Sequence, residues 1–272
     1  MSRLSHEVLE VPRGHLGLWT KGSGPDLVVV HGSGLAARDY ASLMRALDDA
    51  FTVHVYDRRG RGRSSSVGAG YGVGTEVSDL AAVVRATGAK RVFGHAYGGF
   101  VALQGARTHS WESVATYDAA ISVDGSAPDW WADEFQEAVA DGDHGRAAAL
   151  MVKGLELVPV VSRVPMSIGT PVGRLFAKSP FGRDWNSRAG ATLAEVGETL
   201  SHDGPADDYA TITARTTLCV GGASGRWFRV SAEAILPVLP PGSRVAGLPG
   251  LGHDGPQRAS RRLIKQLGEA LA

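Results

Sequence analysis

The stretch that most constrains the fold is Gly94-His95-Ala96-Tyr97-Gly98-Gly99. The short run Arg91-Val92-Phe93 precedes it, and Phe100-Val101-Ala102-Leu103-Gln104 follows with apolar and small residues that suit a helix. A strand, a glycine-flanked turn and a helix, in that order, frame the G-x-S-x-G turn, which raises a nucleophile at its apex. Glycines are needed there because the turn is strained and the strand and helix backbones pass close together. Position 96, the apex, is alanine. A methyl group is no nucleophile, so the question becomes whether the surroundings of one are present.

The flanking pattern places this turn in a parallel sheet. Val8 to Val11 and His15 to Trp19 form two alternating stretches broken at Pro12-Arg13-Gly14, which predicts an opening hairpin. Leu27-Val28-Val29-Val30 is an unbroken apolar run, the signature of a strand buried on both faces. It ends in the glycine-rich loop His31-Gly32-Ser33-Gly34. Tyr40 to Leu47 reads as a helix and Phe51 to Tyr56 as the next strand; Thr75, with Glu76 and Asp79 in its first turn, opens a helix that Gly88 closes. The helix after the Gly94–Gly99 turn (the elbow) leads to the strand Ser113 to Tyr117, ending at Asp118.

From about Ser126 to Ile212 the alternation stops. Helical patches at 132–140, 146–155 and 189–200 lie among prolines at 159, 165, 171 and 180, with Trp130, Trp131, Phe135, Phe176, Phe181 and Trp185 interspersed. An insertion of this length predicts a small helical cap rather than a structureless loop. Residues 1–125 and 213–272 are then one α/β core, and 126–212 the cap inserted into it. Thr216 to Gly222 resumes the strands; a helix over 231–236, a strand over 244–248, the loop Pro249-Gly250-Leu251-Gly252-His253-Asp254 and a helix from Ser260 follow.

Composition narrows the partners. The chain has 272 residues, enough for one large domain, and its 28 Lys plus Arg balance 28 Asp plus Glu. No net field favours nucleic acid or an anionic membrane. The local run from Asp57 to Arg63 reads as a solvated basic loop. The single cysteine, Cys219, sits in the apolar run Leu218-Cys219-Val220, which makes it a buried strand thiol and excludes an internal disulfide. The first twenty residues carry Arg3, Glu7, Glu10 and Arg13 without an apolar leader segment, and no apolar run approaches the roughly 20 residues of a membrane span. The expectation is a soluble cytoplasmic protein with no metal or organic cofactor; oligomeric state is left open.

Four motifs together carry a family resemblance. His31-Gly32-Ser33-Gly34 resembles the oxyanion loop of α/β-hydrolase fold proteins, and Tyr56 to Ser64 resembles their D-x-R-G-x-G-x-S loop. Gly94 to Gly99 resembles G-H-S-x-G-G, and Gly250-Leu251-Gly252-His253 resembles the loop bearing the catalytic histidine. The resemblance spans nearly the whole chain and implies a mostly parallel central sheet flanked by helices. It also implies a nucleophile, an acid and a histidine in that chain order, with backbone donors for an oxyanion.

Carried onto these residues, the resemblance makes Ala96 the nucleophile position, His253 the base, and the N–H groups of Ser33 and Tyr97 the oxyanion donors. Many members place the acid after the strand that follows the cap, but Cys219 to Ala232 holds no Asp or Glu. Others place it after the strand following the elbow helix, which selects Asp118, with Asp124 as competitor and Asp254 pointing away. A nucleotide loop at His31 to Gly34 lacks the lysine such loops use. Aspartate at 96 would imply an epoxide hydrolase or dehalogenase parent. The implied parent activity is hydrolysis of a small, mainly apolar carboxylic ester or lactone, with Trp130, Trp131, Phe135 and Trp185 contacting it. Ala96 is then a Ser→Ala knock-out of that enzyme. The alternative is a natural non-hydrolytic member, either a ligand-binding protein or a cofactor-free enzyme using His253.

Overall fold

A computed structural model describes residues 4–272; Arg3, counted above, lies outside them. The chain begins with β1 (Ser5–Val11), β2 (Gly14–Gly22), β3 (Asp26–Val30), α1 (Ala41–Leu47), β4 (Thr52–Tyr56) and α2 (Val73–Thr87). It continues through β5 (Arg91–His95), α3 (Tyr97–Ala106) and β6 (Ser113–Tyr117). Six helices follow: α4 (Ala132–Ala140), α5 (His144–Gly154), α6 (Pro159–Ser162), α7 (Met166–Ala177), α8 (Pro180–Asn186) and α9 (Ala189–Ser201). Then come β7 (Arg215–Gly221), α10 (Arg226–Ile235), β8 (Arg244–Leu248), α11 (Gly255–Arg258) and α12 (Arg261–Leu271).

The eight strands form one sheet in the order β1-β2-β4-β3-β5-β6-β7-β8. β1 pairs antiparallel with β2, and β2 with β4; every pairing from β4 to β8 is parallel. The two-residue period of a strand divides its apolar side chains between two cores. On β3, Val28 and Val30 face the α2–α3–α10 side while Leu27 and Val29 face α1 and α12. On β7, Leu218 and Val220 lie on the first side and Cys219 on the second. Both faces are covered, which is why these strands read as continuous apolar runs rather than alternating ones.

Two sequence expectations change. The helix expected from Thr75 begins at Val73, because Val73 N–H donates to Glu198 Oε2 of α9 at 2.7 Å. That cap comes from 125 residues away, beyond any local pattern. The proline-marked stretch of the insertion forms three further helices. Pro159 and Pro180 occupy first-turn positions, where the missing N–H costs nothing, and α7 accommodates Pro171 within it.

The basic loop is the larger correction. Arg58, Arg59 and Arg61 are buried, not solvated. Arg58 pairs with Glu76 of α2 and Glu195 of α9, each at 2.8 Å, and Arg61 also pairs with Glu195. Arg59 grips Asp79 with two parallel bonds of 2.7 and 2.9 Å. Guanidinium ions can be buried here because each has a carboxylate partner and carbonyl acceptors, such as Gly32 O for Arg58 and Arg59 O for Arg61. Burial pushes the Glu195 carboxyl upward, but Arg58 and Arg61 outweigh it and hold the group below its ordinary value.

Candidate active site

Ala96 stands between β5 and α3 with φ 51° and ψ −120°, the strained backbone of a strand-to-helix elbow. The glycines around it are sterically required. A Cβ on Gly94 would lie 2.3 Å from Gly98 O, and one on Gly98 would lie 2.2 Å from Val30 O. With those atoms absent, α3 packs directly over β3 and β5. Ala96 O accepts from Gly99, Phe100 and Ala120 N–H, which ties the elbow to the helix and to the segment after β6.

Asp118 follows β6 and is completely buried. Its Oδ1 accepts from Gly221 N–H at 2.9 Å; its Oδ2 accepts from Ser224 Oγ at 2.5 Å and faces His253 Nδ1 at 3.1 Å. The loop after β7 has no carboxylate of its own, and it supplies donors to Asp118 instead. Nδ1–H of His253 donates to the carboxylate, so Nε2 is left as the basic atom. Phe228 of α10 stacks on the imidazole with ring centroids 5.0 Å apart and planes 18° from parallel. Asp124 is exposed, and Asp254 is exposed and pairs with Arg258.

Behind the elbow runs a hydrogen-bond chain that the motifs did not reveal. Gly32 N–H donates to Tyr40 Oη at 3.1 Å, and Tyr40 O–H meets His95 Nδ1 at 2.5 Å. His95 Nε2 meets His253 O at 2.9 Å. A carbonyl only accepts, so His95 is protonated on Nε2 and Tyr40 donates to Nδ1. Burial, then the neighbouring His253, holds His95 well below its ordinary pKa, consistent with one neutral tautomer. This chain joins the backbones of the 31–34 loop and the 253 loop through the residue before the elbow apex.

Ser33, Ala96, Tyr97 and His253 line one cavity of about 230 Å³. Among the described residues, neither Ser33 N–H nor Tyr97 N–H has an acceptor. The remaining wall is almost wholly apolar and includes Met151, Leu157, Phe181, Trp185, Trp227 and Phe228. Of the four aromatics expected to meet a ligand, only Trp185 is in this wall. Trp131 and Phe135 are buried in the core of the helical segment, with ring centroids 5.3 Å apart. Trp130 is 56% exposed and borders a separate groove. Trp227 and Phe228 were missed because they open α10, outside the aromatic-rich insertion. Among the described residues no three His, Cys, Asp or Glu side chains converge as a metal would require.

Residues 27–266 match the model of the alpha/beta hydrolase family. The chain belongs to the alpha/beta hydrolase family. This hydrolase-family chain is 25% identical to an alpha/beta hydrolase from Sphaerobacter thermophilus DSM 20745, with TM-score 0.74 over 95% of this chain and 99% of that one. An enol-lactonase from Burkholderia xenovorans LB400 superposes with TM-score 0.68 at 20% identity, covering 97% of this chain and 98% of that one. At that identity the likeness is one of fold. A pimeloyl-[acyl-carrier protein] methyl ester esterase of Pectobacterium carotovorum subsp. carotovorum (strain PC1) is 40% identical over 88 residues. That alignment covers 31% of this chain and 32% of the esterase, so it spans about a third of either chain. Among the described residues no helix is long and apolar enough to cross a membrane.

Proposed function

We propose that the parent of this chain hydrolyses a small, mainly apolar carboxylic ester or lactone by Ser-His-Asp chemistry, and that Ala96 removes the nucleophile. The helices of 126–212 act as its cap. One observation carries the reading: the supported His253–Asp118 pair and two unpartnered N–H groups line or adjoin the cavity that holds the strained elbow. A ligand-binding protein has no need of a buried carboxylate orienting a histidine.

With serine at 96, His253 Nε2 takes the hydroxyl proton as oxygen attacks the carbonyl carbon. The tetrahedral oxygen is then stabilised by Tyr97 and Ser33 N–H, while Asp118 supports the imidazolium. Nε2 returns the proton to the leaving alkoxide, and water repeats the sequence on the acyl-enzyme. The apolar wall from Trp185, Trp227 and Phe228 favours an apolar group beside the reacting carbonyl. The partial match to a relative named as a methyl ester esterase supports this class of bond.

The test is Ala96→Ser assayed on aryl esters and lactones. Losing one triad member costs on the order of 10⁶ in kcat, so activity should rise from near background by several orders of magnitude. A folded Ala96→Ser protein with no burst and no turnover across such a panel would refute the proposal.

A further inference from the structure

Three helices between β6 and β7 turn apolar side chains to solvent. Val160 on α6 is 77% exposed and Leu175 on α7 is 73% exposed; Ile168, Val172 and Phe181 are also exposed. Positions 168, 172, 175 and 176 share one face of α7, following the helical period. The face borders an apolar groove of about 390 Å³ between α5 and α7. Contiguous exposed apolar surface of this kind marks an interaction site.

Its charges indicate what the site meets. From Glu156 to Ala194 the chain carries five basic residues, Arg163, Arg174, Lys178, Arg183 and Arg188, against two acidic ones, Glu156 and Asp184. Arg188 is buried with Asp184, and Arg174 pairs with Asp143. Arg163, Lys178 and Arg183 are exposed, and among the described residues none has a carboxylate partner. The balanced net charge of the whole chain conceals this local excess.

A second copy fits the surface poorly, because a two-fold interface sets a patch against itself. Lys178 and Arg183, close in sequence to the paired rings of Phe176 and Phe181, would then face their own copies with no carboxylate partner of their own. An anionic lipid surface satisfies both halves of the pattern. Apolar side chains enter the acyl boundary while Lys and Arg extend along it to the phosphates.

We propose that α6, α7 and α8 form a docking surface for an anionic lipid membrane, touched from one side and not crossed. Ala148, Val152 and Phe176 line both the exposed groove and the cavity holding Ala96 and His253. An apolar molecule dissolved in lipid therefore meets the outer side of the cavity wall. The docking itself is independent of any catalytic reading and is tested without activity.

The full chain is sedimented with vesicles of phosphatidylcholine and phosphatidylglycerol in equal parts, and with phosphatidylcholine alone. It should sediment with the mixed vesicles at low salt and release at high salt. Removing one cation costs about fivefold in partitioning, so Arg163→Gln, Lys178→Gln and Arg183→Gln together should weaken binding about a hundredfold. Val172→Gln with Leu175→Gln should also abolish sedimentation, whereas Arg85→Gln on α2 should not change it. All these side chains are exposed, and circular dichroism verifies that each variant is folded. Equal binding to both vesicle types would overturn the proposal, as would binding to neither. A dimer dispersed by Leu175→Gln would assign the face to a second copy instead.

Discussion

At residue scale, the site depends on where one carboxylate lies. Asp118 holds three partners at once: Gly221 N–H, Ser224 Oγ and His253 Nδ1. In an Ala96→Ser background, Asp118→Asn should lower kcat by about 10³ to 10⁴, because the amide leaves His253 in the wrong tautomer and its cation unsupported. Asp124→Asn alters an exposed side chain and should change kcat little. Steady-state kinetics of the two variants checks the assignment, and a reversed pair of results would move the acid to Asp124. Cys219 lies one strand away with its pKa pushed up to about 12 by burial, which leaves it unreactive in the folded chain.

Among elements, α9 ties the helical segment to the sheet. Its Glu195 receives Arg58 and Arg61 from the loop after β4, and its Glu198 caps α2 at Val73. Arg188, just before α9, donates to Gly34 O at 2.9 Å, and Trp185 leaves no space for a Cβ on Gly34. The helical segment is thus joined to the Ser33 loop by charge, carbonyl and ring. Breaking a buried pair by removing one partner costs about 3–5 kcal/mol, since the other charge stays buried. Glu195→Gln should therefore destabilise the protein by about that much in urea denaturation. Glu195→Met combined with Arg61→Met should recover part of it; no recovery would show that Arg58 carries the link.

For the whole molecule, two buried histidines set a pH limit. Burial, then Arg58 and Arg61, holds His31 well below its ordinary pKa; burial, then His253, does the same for His95. Below the ordinary histidine value of 6.5, the unfolded chain binds protons at both sites and the folded chain does not. The folded state therefore loses stability as pH falls from about 6.5 toward the depressed values. The loss sets in below about pH 6.5, above the range in which ordinary carboxylates titrate. Urea midpoints measured at pH 8 and pH 5.5 check this. Equal midpoints would show that the two imidazoles are not held neutral.

The parallel sheet, the elbow, the 31–34 loop and the 253 loop were legible in local sequence, because apolar runs and glycine positions follow from steric rules within a few residues. The same rules made Asp118 visible only as the end of β6, beside Asp124. Its three donors come from the end of β7 and from the loops after β7 and β8, 103 to 135 residues further along the chain. The basic loop read as solvated because its carboxylates, Glu76, Asp79 and Glu195, lie on α2 and α9. Which aromatics enter the cavity was likewise beyond the sequence. Trp131 and Phe135 have the composition of a binding wall but fill the core of their own helices, while Trp227 and Phe228 reach the cavity from α10. Local pattern fixes what a segment must bury. Only tertiary packing decides against what, because burial energy depends on area and not on the identity of the partner.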